Sequence, residues 1–210
     1  MNFKTFVRNS SLYRILNLWQ GFIWWVKRGY AAPSPHFVKQ TVLVRNAIPG
    51  SIWVETGTYL GQTTKVLSKH GSFVHSIEPE PKLYLDAADY FKSYSNVHII
   101  KGSSEEVFPS LLPNLCEDIN FWLDGHYSAG ITFKGPRDTP ILEELAQISA
   151  NLSHFRNVCV MVDDVRCFNP EIDEYSTYPS LNVLVDWANK NGLSWHIEHD
   201  IFVAKSKRAQ

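Results

Sequence analysis

Ser51-Ile52-Trp53-Val54-Glu55-Thr56-Gly57-Thr58-Tyr59-Leu60-Gly61 is the stretch that decides the fold. An apolar run ends in an acid, a glycine breaks it, and Gln62 to His70 follows with helical spacing. A strand that turns at glycine into a helix opens a βαβ unit. The pattern continues outward from there. Strands are predicted at Phe73–Glu78, Val97–Ile100, Ile119–Asp124 and Val158–Val162, with helices at Lys82–Tyr94, Glu105–Leu112 and from Pro140 to about Ala150. Thr139 or Asp138 caps the last of these, and Pro140 suits its first turn. Val158-Cys159-Val160-Met161-Val162 has no polar residue, as a strand covered on both faces requires. Pro179 to Asn191 reads as a further helix ended by Gly192, and Ser194 to Lys205 as two strands joined near His199-Asp200. Alternation at this spacing predicts an α/β domain with a doubly wound parallel sheet and an antiparallel terminal strand.

The composition agrees. At 210 residues, 44% hydrophobic and 20% charged, the chain is a globular protein of one domain, and disordered, collagen-like and coiled-coil classes are excluded. A net charge of −1 provides no overall field to recruit nucleic acid, so no nucleic-acid partner is expected. The three cysteines, Cys116, Cys159 and Cys167, form no C-x-x-C, which fits a reducing compartment and places the chain in the cytoplasm.

The first fifty residues stand apart. Residues 1–48 read as an N-terminal helical extension to a domain at 49–210. Leu12, Ile15, Leu16, Trp19, Phe22, Ile23 and Val26 share one helical face, with Ser10 or Ser11 as cap and Gly29 as stop. Polar interruptions keep this run short of a membrane span. Its apolar face is expected to pack on the domain or in a homodimer, which the near-zero net charge favours; a peripheral membrane contact through Trp19, Trp24 and Trp25 is the alternative. After Pro33 and Pro35, His36 to Asn46 is a second short helix, with His36 and Lys39 expected at the surface.

In a doubly wound sheet the ligand sits at the carboxyl ends of the strands, near the switch point. Four predicted parallel strands end there in acids: Glu55, Glu78, Asp124 and the pair Asp163-Asp164. Gly57 and Gly61 lie four apart, not in the G-x-G-x-x-G of dinucleotide sites, so a nicotinamide oxidoreductase is disfavoured. An acid beside such a loop suits a cationic, amine-bearing ligand, and Glu78 can accept both hydroxyls of a ribose.

Glu55-Thr-Gly-Thr-Tyr-Leu-Gly61, Glu78 and Leu123-Asp-Gly-His-Tyr-Ser128 together resemble the class I S-adenosylmethionine-dependent methyltransferases, within them the small bacterial sugar O-methyltransferases of macrocin type. The resemblance spans about residues 36 to 205 and implies a Rossmann-like methyltransferase sheet of about seven strands. It implies S-adenosylmethionine as cofactor, with Glu55, Gly57, Thr58 and Gly61 near the methionine part. Glu78 would hold the ribose, Ser103 and Ser104 would lie by adenine, and Asp124 would adjoin the cofactor. Asp124, Asp163 and Asp164 would repel one another unless neutralised, which points to Mg²⁺ or another divalent cation; the alternative is that Asp163 or Asp164 caps a loop or pairs with Arg166. His126, two residues past Asp124, is the expected general base, and Tyr127 to Arg137 a lid edged by Lys134 and Arg137. O-methylation of a small or saccharide acceptor is the leading function; an inactive methyltransferase-like scaffold is the other.

Overall fold

The computed structural model describes residues 11–125 and 139–206, with side chains from residue 18 onward. Two helices come first, α1 (Ser11–Lys27) and α2 (His36–Asn46). Then β1 (Ile52–Thr56), α3 (Gln62–His70), β2 (Phe73–Glu78), α4 (Pro81–Phe91), β3 (Val97–Lys101), α5 (Ser104–Leu111) and β4 (Asp118–Leu123) alternate. The chain closes with α6 (Ile141–Asn151), β5 (Asn157–Val162), α7 (Asn182–Lys190), β6 (Ser194–Glu198) and β7 (Ile201–Lys205).

The seven strands form one sheet in the order β3-β2-β1-β4-β5-β7-β6. The first five are parallel, while β7 runs antiparallel to both β5 and β6. The antiparallel end follows from the chemistry of the turn: His199 and Asp200 both adopt positive φ (48° and 71°), the conformation that matches strand twist in a two-residue hairpin. The order reverses between β1 and β4, so the switch point lies where Thr56 and Leu123 end adjacent strands.

Helices cover both faces, and the strands therefore lack a polar side. Val54, Ile77, Phe121, Val160 and Phe202 pack towards α5, α6 and α7, whereas Trp53, Val74, Trp122, Met161 and Val203 pack with Leu67 of α3 and Val42 and Leu43 of α2. The second helix of the N-terminal segment thus contributes to the main core. The first does not. Among the described side chains of α1 only Trp25 is buried, with its ring 5.0 Å from Tyr30 and 5.6 Å from His199. Trp19, Phe22, Ile23 and Val26 are exposed, so the described part of the face expected to pack on the domain does not do so within the chain. No described helix is long and apolar enough to cross a membrane.

Candidate functional site

The loop after β1 is built around one close approach. Gly57 sits at φ 86°, and a Cβ there would lie 2.8 Å from the Asp124 carbonyl oxygen, so only glycine lets the loop seat against the end of β4. Thr58 turns inward, its hydroxyl 2.6 Å from that of Ser76. Gly61 opens α3 at φ 69° and faces the ring of Phe91, where a Cβ would come within 2.6 Å. Its requirement for glycine comes from helix packing in addition to any ligand.

Glu55 is fully buried below this loop. Its Oε2 accepts from the hydroxyls of Thr64 and Ser76, each at 2.6 Å, while Oε1 has no hydrogen-bond partner. Burial pushes its carboxyl up to about 7, against the two hydroxyls that favour the charged form. Glu78, at the end of β2, accepts from the backbone N–H of Tyr59 (2.7 Å) and of Glu80 (3.0 Å), which fixes its carboxylate beside the β1 loop. Burial raises its pKa, and the two N–H groups offset part of the rise. Ser103 is the N-cap of α5 in a reciprocal capping box with Glu106, and Ser104 is buried in the first turn.

The second group lies across the switch point. Asp163 and Asp164 are buried at the end of β5, and both are bonded by the ammonium of Lys39, at 2.6 Å each. Arg166 donates to Asp164 at 2.6 Å and also to Asp200 of the β6–β7 turn. Asp164 holds φ 54°, a left-handed conformation that an aspartate tolerates. Burial pushes Asp163 up to about 7, with the charge of Asp164 adding to the rise and Lys39 opposing it. Asp124 is raised well above the carboxylate range by burial and then by Asp163 and Asp164. Asp124, Asp163, Asp164, Lys39 and Arg166, with His36, Gln40 and Trp122, line a cavity of about 330 Å³. His126 and the Tyr127–Arg137 segment, with Lys134 and Arg137, lie outside the described residues.

Among solved structures, the N-methyltransferase NodS from Bradyrhizobium japonicum aligns at 13% identity and TM-score 0.53, over 80% of this chain and 93% of that one. An S-adenosylmethionine-dependent methyltransferase from Aquifex aeolicus aligns at 16% identity and TM-score 0.50, over 79% and 87%. The fold is that of the class I methyltransferases. Precorrin 8w decarboxylase from Methanobacterium thermoautotrophicum has it too, at 13% identity, TM-score 0.52 and coverage of 84% and 92%, so the fold by itself does not fix the reaction. NodS also has a structure in complex with S-adenosyl-L-homocysteine. No protein-family model matches the sequence, nor does any curated protein.

On this methyltransferase fold the acids form two sets. Glu55 and Glu78 flank the β1 loop, and an orphaned Oε1 beside a glycine cradle fits a cationic, amine-bearing group. The residues expected to hold a metal do not fit one. Among the described residues no three His, Cys, Asp or Glu side chains are placed to hold an ion; Lys39 engages one oxygen of Asp163 and, with Arg166, one oxygen of Asp164. The repulsion that pointed to a divalent cation is relieved by two side-chain cations instead. Lys39, expected at the surface, is the residue that makes the difference.

One further acid belongs here. Glu144 of α6 is buried, its Oε1 without a hydrogen-bond partner, close to where a Cβ on Gly125 would point. Burial raises its carboxyl to about 7.

Glu55 carries a prediction about pH. Its folded-state pKa of about 7 lies above the ordinary 4.5, so its contribution to stability is complete below pH 4.5 and is lost as pH rises through 7. Glu55→Gln removes the titration and keeps an oxygen to accept from Thr64 and Ser76. In urea denaturation the variant is expected to match the wild type at pH 5 and exceed it at pH 8, by about 3 kcal/mol at most. A constant difference between the two curves at both pH values would contradict this.

Proposed function

We propose that the protein transfers a methyl group from S-adenosylmethionine to a hydroxyl oxygen of a small, polyhydroxylated acceptor such as a saccharide. The observation that carries this reading is the division of labour around the switch point. On one side, Glu55, Gly57 and Glu78 form an acidic cradle suited to an ammonium and a ribose. On the other, a polar cavity bounded by Asp124, Asp163, Lys39 and Arg166 suits hydroxyl groups.

The cofactor supplies a methyl group on a sulfonium. As the new C–O bond forms, the C–S bond breaks with its electron pair remaining on sulfur, so the acceptor proton must go elsewhere. Asp163, with a pKa of about 7 at the cavity wall, is matched to take it. Lys39 and Arg166 hold the aspartates in place and limit their mutual repulsion. Most of the rate comes from alignment of oxygen, methyl and sulfur, which the fixed strand ends provide.

Isothermal calorimetry with S-adenosylmethionine tests the reading. Saturable binding is expected at about 1 mM ligand or below, weakened about 10- to 100-fold in Glu78→Gln through loss of a charge-assisted hydrogen bond. Absence of wild-type binding would rule out the proposal. Binding without methyl transfer to any hydroxylated acceptor would assign the chain to the scaffold role.

A further inference from the structure

The net charge of −1 conceals a division along the chain. The first 54 residues contain Lys4, Arg8, Arg14, Lys27, Arg28, Lys39 and Arg45 and no Asp or Glu; the remainder holds 13 Lys and Arg against 21 Asp and Glu. Lys39 and Arg45 are paired with Asp163, Asp164 and Glu198 of the body. Lys27 and Arg28 are exposed at the end of α1.

The same helix displays its apolar residues outward. Trp19 is 60% exposed, Ile23 and Trp24 48% each, and Phe22 40%. The 3.6-residue repeat puts Trp19, Phe22, Ile23 and Val26 on one stripe. Among the described side chains, Trp25 meets His199 of the body on another side of the helix, and a Cβ on Gly21 would lie 3.9 Å from Pro35. Arg28 lies over the Trp24 ring at 4.3 Å.

We infer that α1 docks the protein on the surface of an anionic lipid bilayer. A stripe of Trp, Phe, Ile and Leu flanked by Lys and Arg matches the boundary between headgroups and acyl chains, and a segment without a single acid matches anionic headgroups. A second copy fits less well, because pairing two such stripes would bring two segments of like charge together. The helix lies on the membrane and does not span it. Its seam with the body is the His199–Asp200 turn, and Asp200 holds Arg166 at the carboxyl end of β5. The docked surface therefore adjoins the edge of the sheet that carries the cavity.

Co-sedimentation of the full chain with vesicles tests this. Binding to vesicles of phosphatidylcholine with 30% phosphatidylglycerol is expected to exceed binding to pure phosphatidylcholine by about 10-fold or more, with a blue shift of tryptophan emission. Trp19→Glu with Ile23→Glu should abolish binding to both while leaving cofactor binding unchanged. Lys27→Glu with Arg28→Glu should remove the preference for phosphatidylglycerol. Failure of the wild type to sediment with anionic vesicles would overturn the inference. So would a dimer in buffer that Trp19→Glu/Ile23→Glu converts to monomer without any vesicle binding by the wild type. Neither result bears on methyl transfer, which calorimetry reads separately.

Discussion

Replacement of Lys39 by methionine is expected to lower stability at pH 8 by about 3–5 kcal/mol, the range for breaking a buried ion pair from one side. Methionine keeps the alkyl stem and removes the ammonium that bonds Asp163 and Asp164 at 2.6 Å each. Arg166 bonds only Asp164 of the two, so Asp163 loses its cation. The loss depends on pH, and its sign follows from the acids. Asp163 already sits at about 7 with Lys39 present. Without that charge it rises further, and an acid with a raised pKa withdraws stability as pH climbs through the folded value. The deficit of the variant should therefore be small near pH 5 and full at pH 8. Lys39 itself stays charged throughout this window: burial lowers its pKa, but the two aspartates more than offset that and hold it above the ordinary lysine range. Chemical denaturation at the two pH values reads the effect. A deficit equal at both would mean that Lys39 acts through packing alone.

The fold was legible because its signals are local. The apolar run at Trp53-Val54, the glycine at Gly57 and the unbroken Val158–Val162 strand each carry their meaning within a few residues. The hairpin at His199-Asp200 was likewise marked by its flanking strands, and the structure supplies the positive φ values behind it. Strand-end acids could be gathered into one site because a doubly wound sheet brings the ends together. What neutralises them could not. Lys39 lies 124 residues before Asp163 and sits in a helix whose lysine looks like any solvated one. Glu144 was hidden for the opposite reason: an acid in the first turn of a helix already has an electrostatic explanation at the N-terminus, so its burial leaves no mark in the sequence. Whole-chain charge concealed a third feature. Averaging over 210 residues cancelled a basic N-terminal segment against an acidic body, and only the position of each charge along the chain restores the contrast.

Asp163→Asn separates chemistry from architecture most sharply. Asparagine retains the oxygen that accepts the Asp164 backbone N–H at 2.8 Å, so the turn after β5 can keep its shape. The variant cannot take a proton, and general-base catalysis typically contributes 10²–10⁴-fold. A fall in kcat of about that size is expected, with affinity for S-adenosylmethionine nearly unchanged because Glu55 and Glu78 lie on the other side of the switch point. The pH profile gives the second readout. Wild-type kcat/KM should rise as Asp163 loses its proton near pH 7, and that limb should vanish in the variant. His126→Gln supplies the contrast, since His126 is the base that chain position alone suggests. Retention of the pH 7 limb in His126→Gln, together with its loss in Asp163→Asn, assigns the proton to the aspartate. The reverse pattern would give it to the histidine and leave Asp163 as the anchor for Lys39.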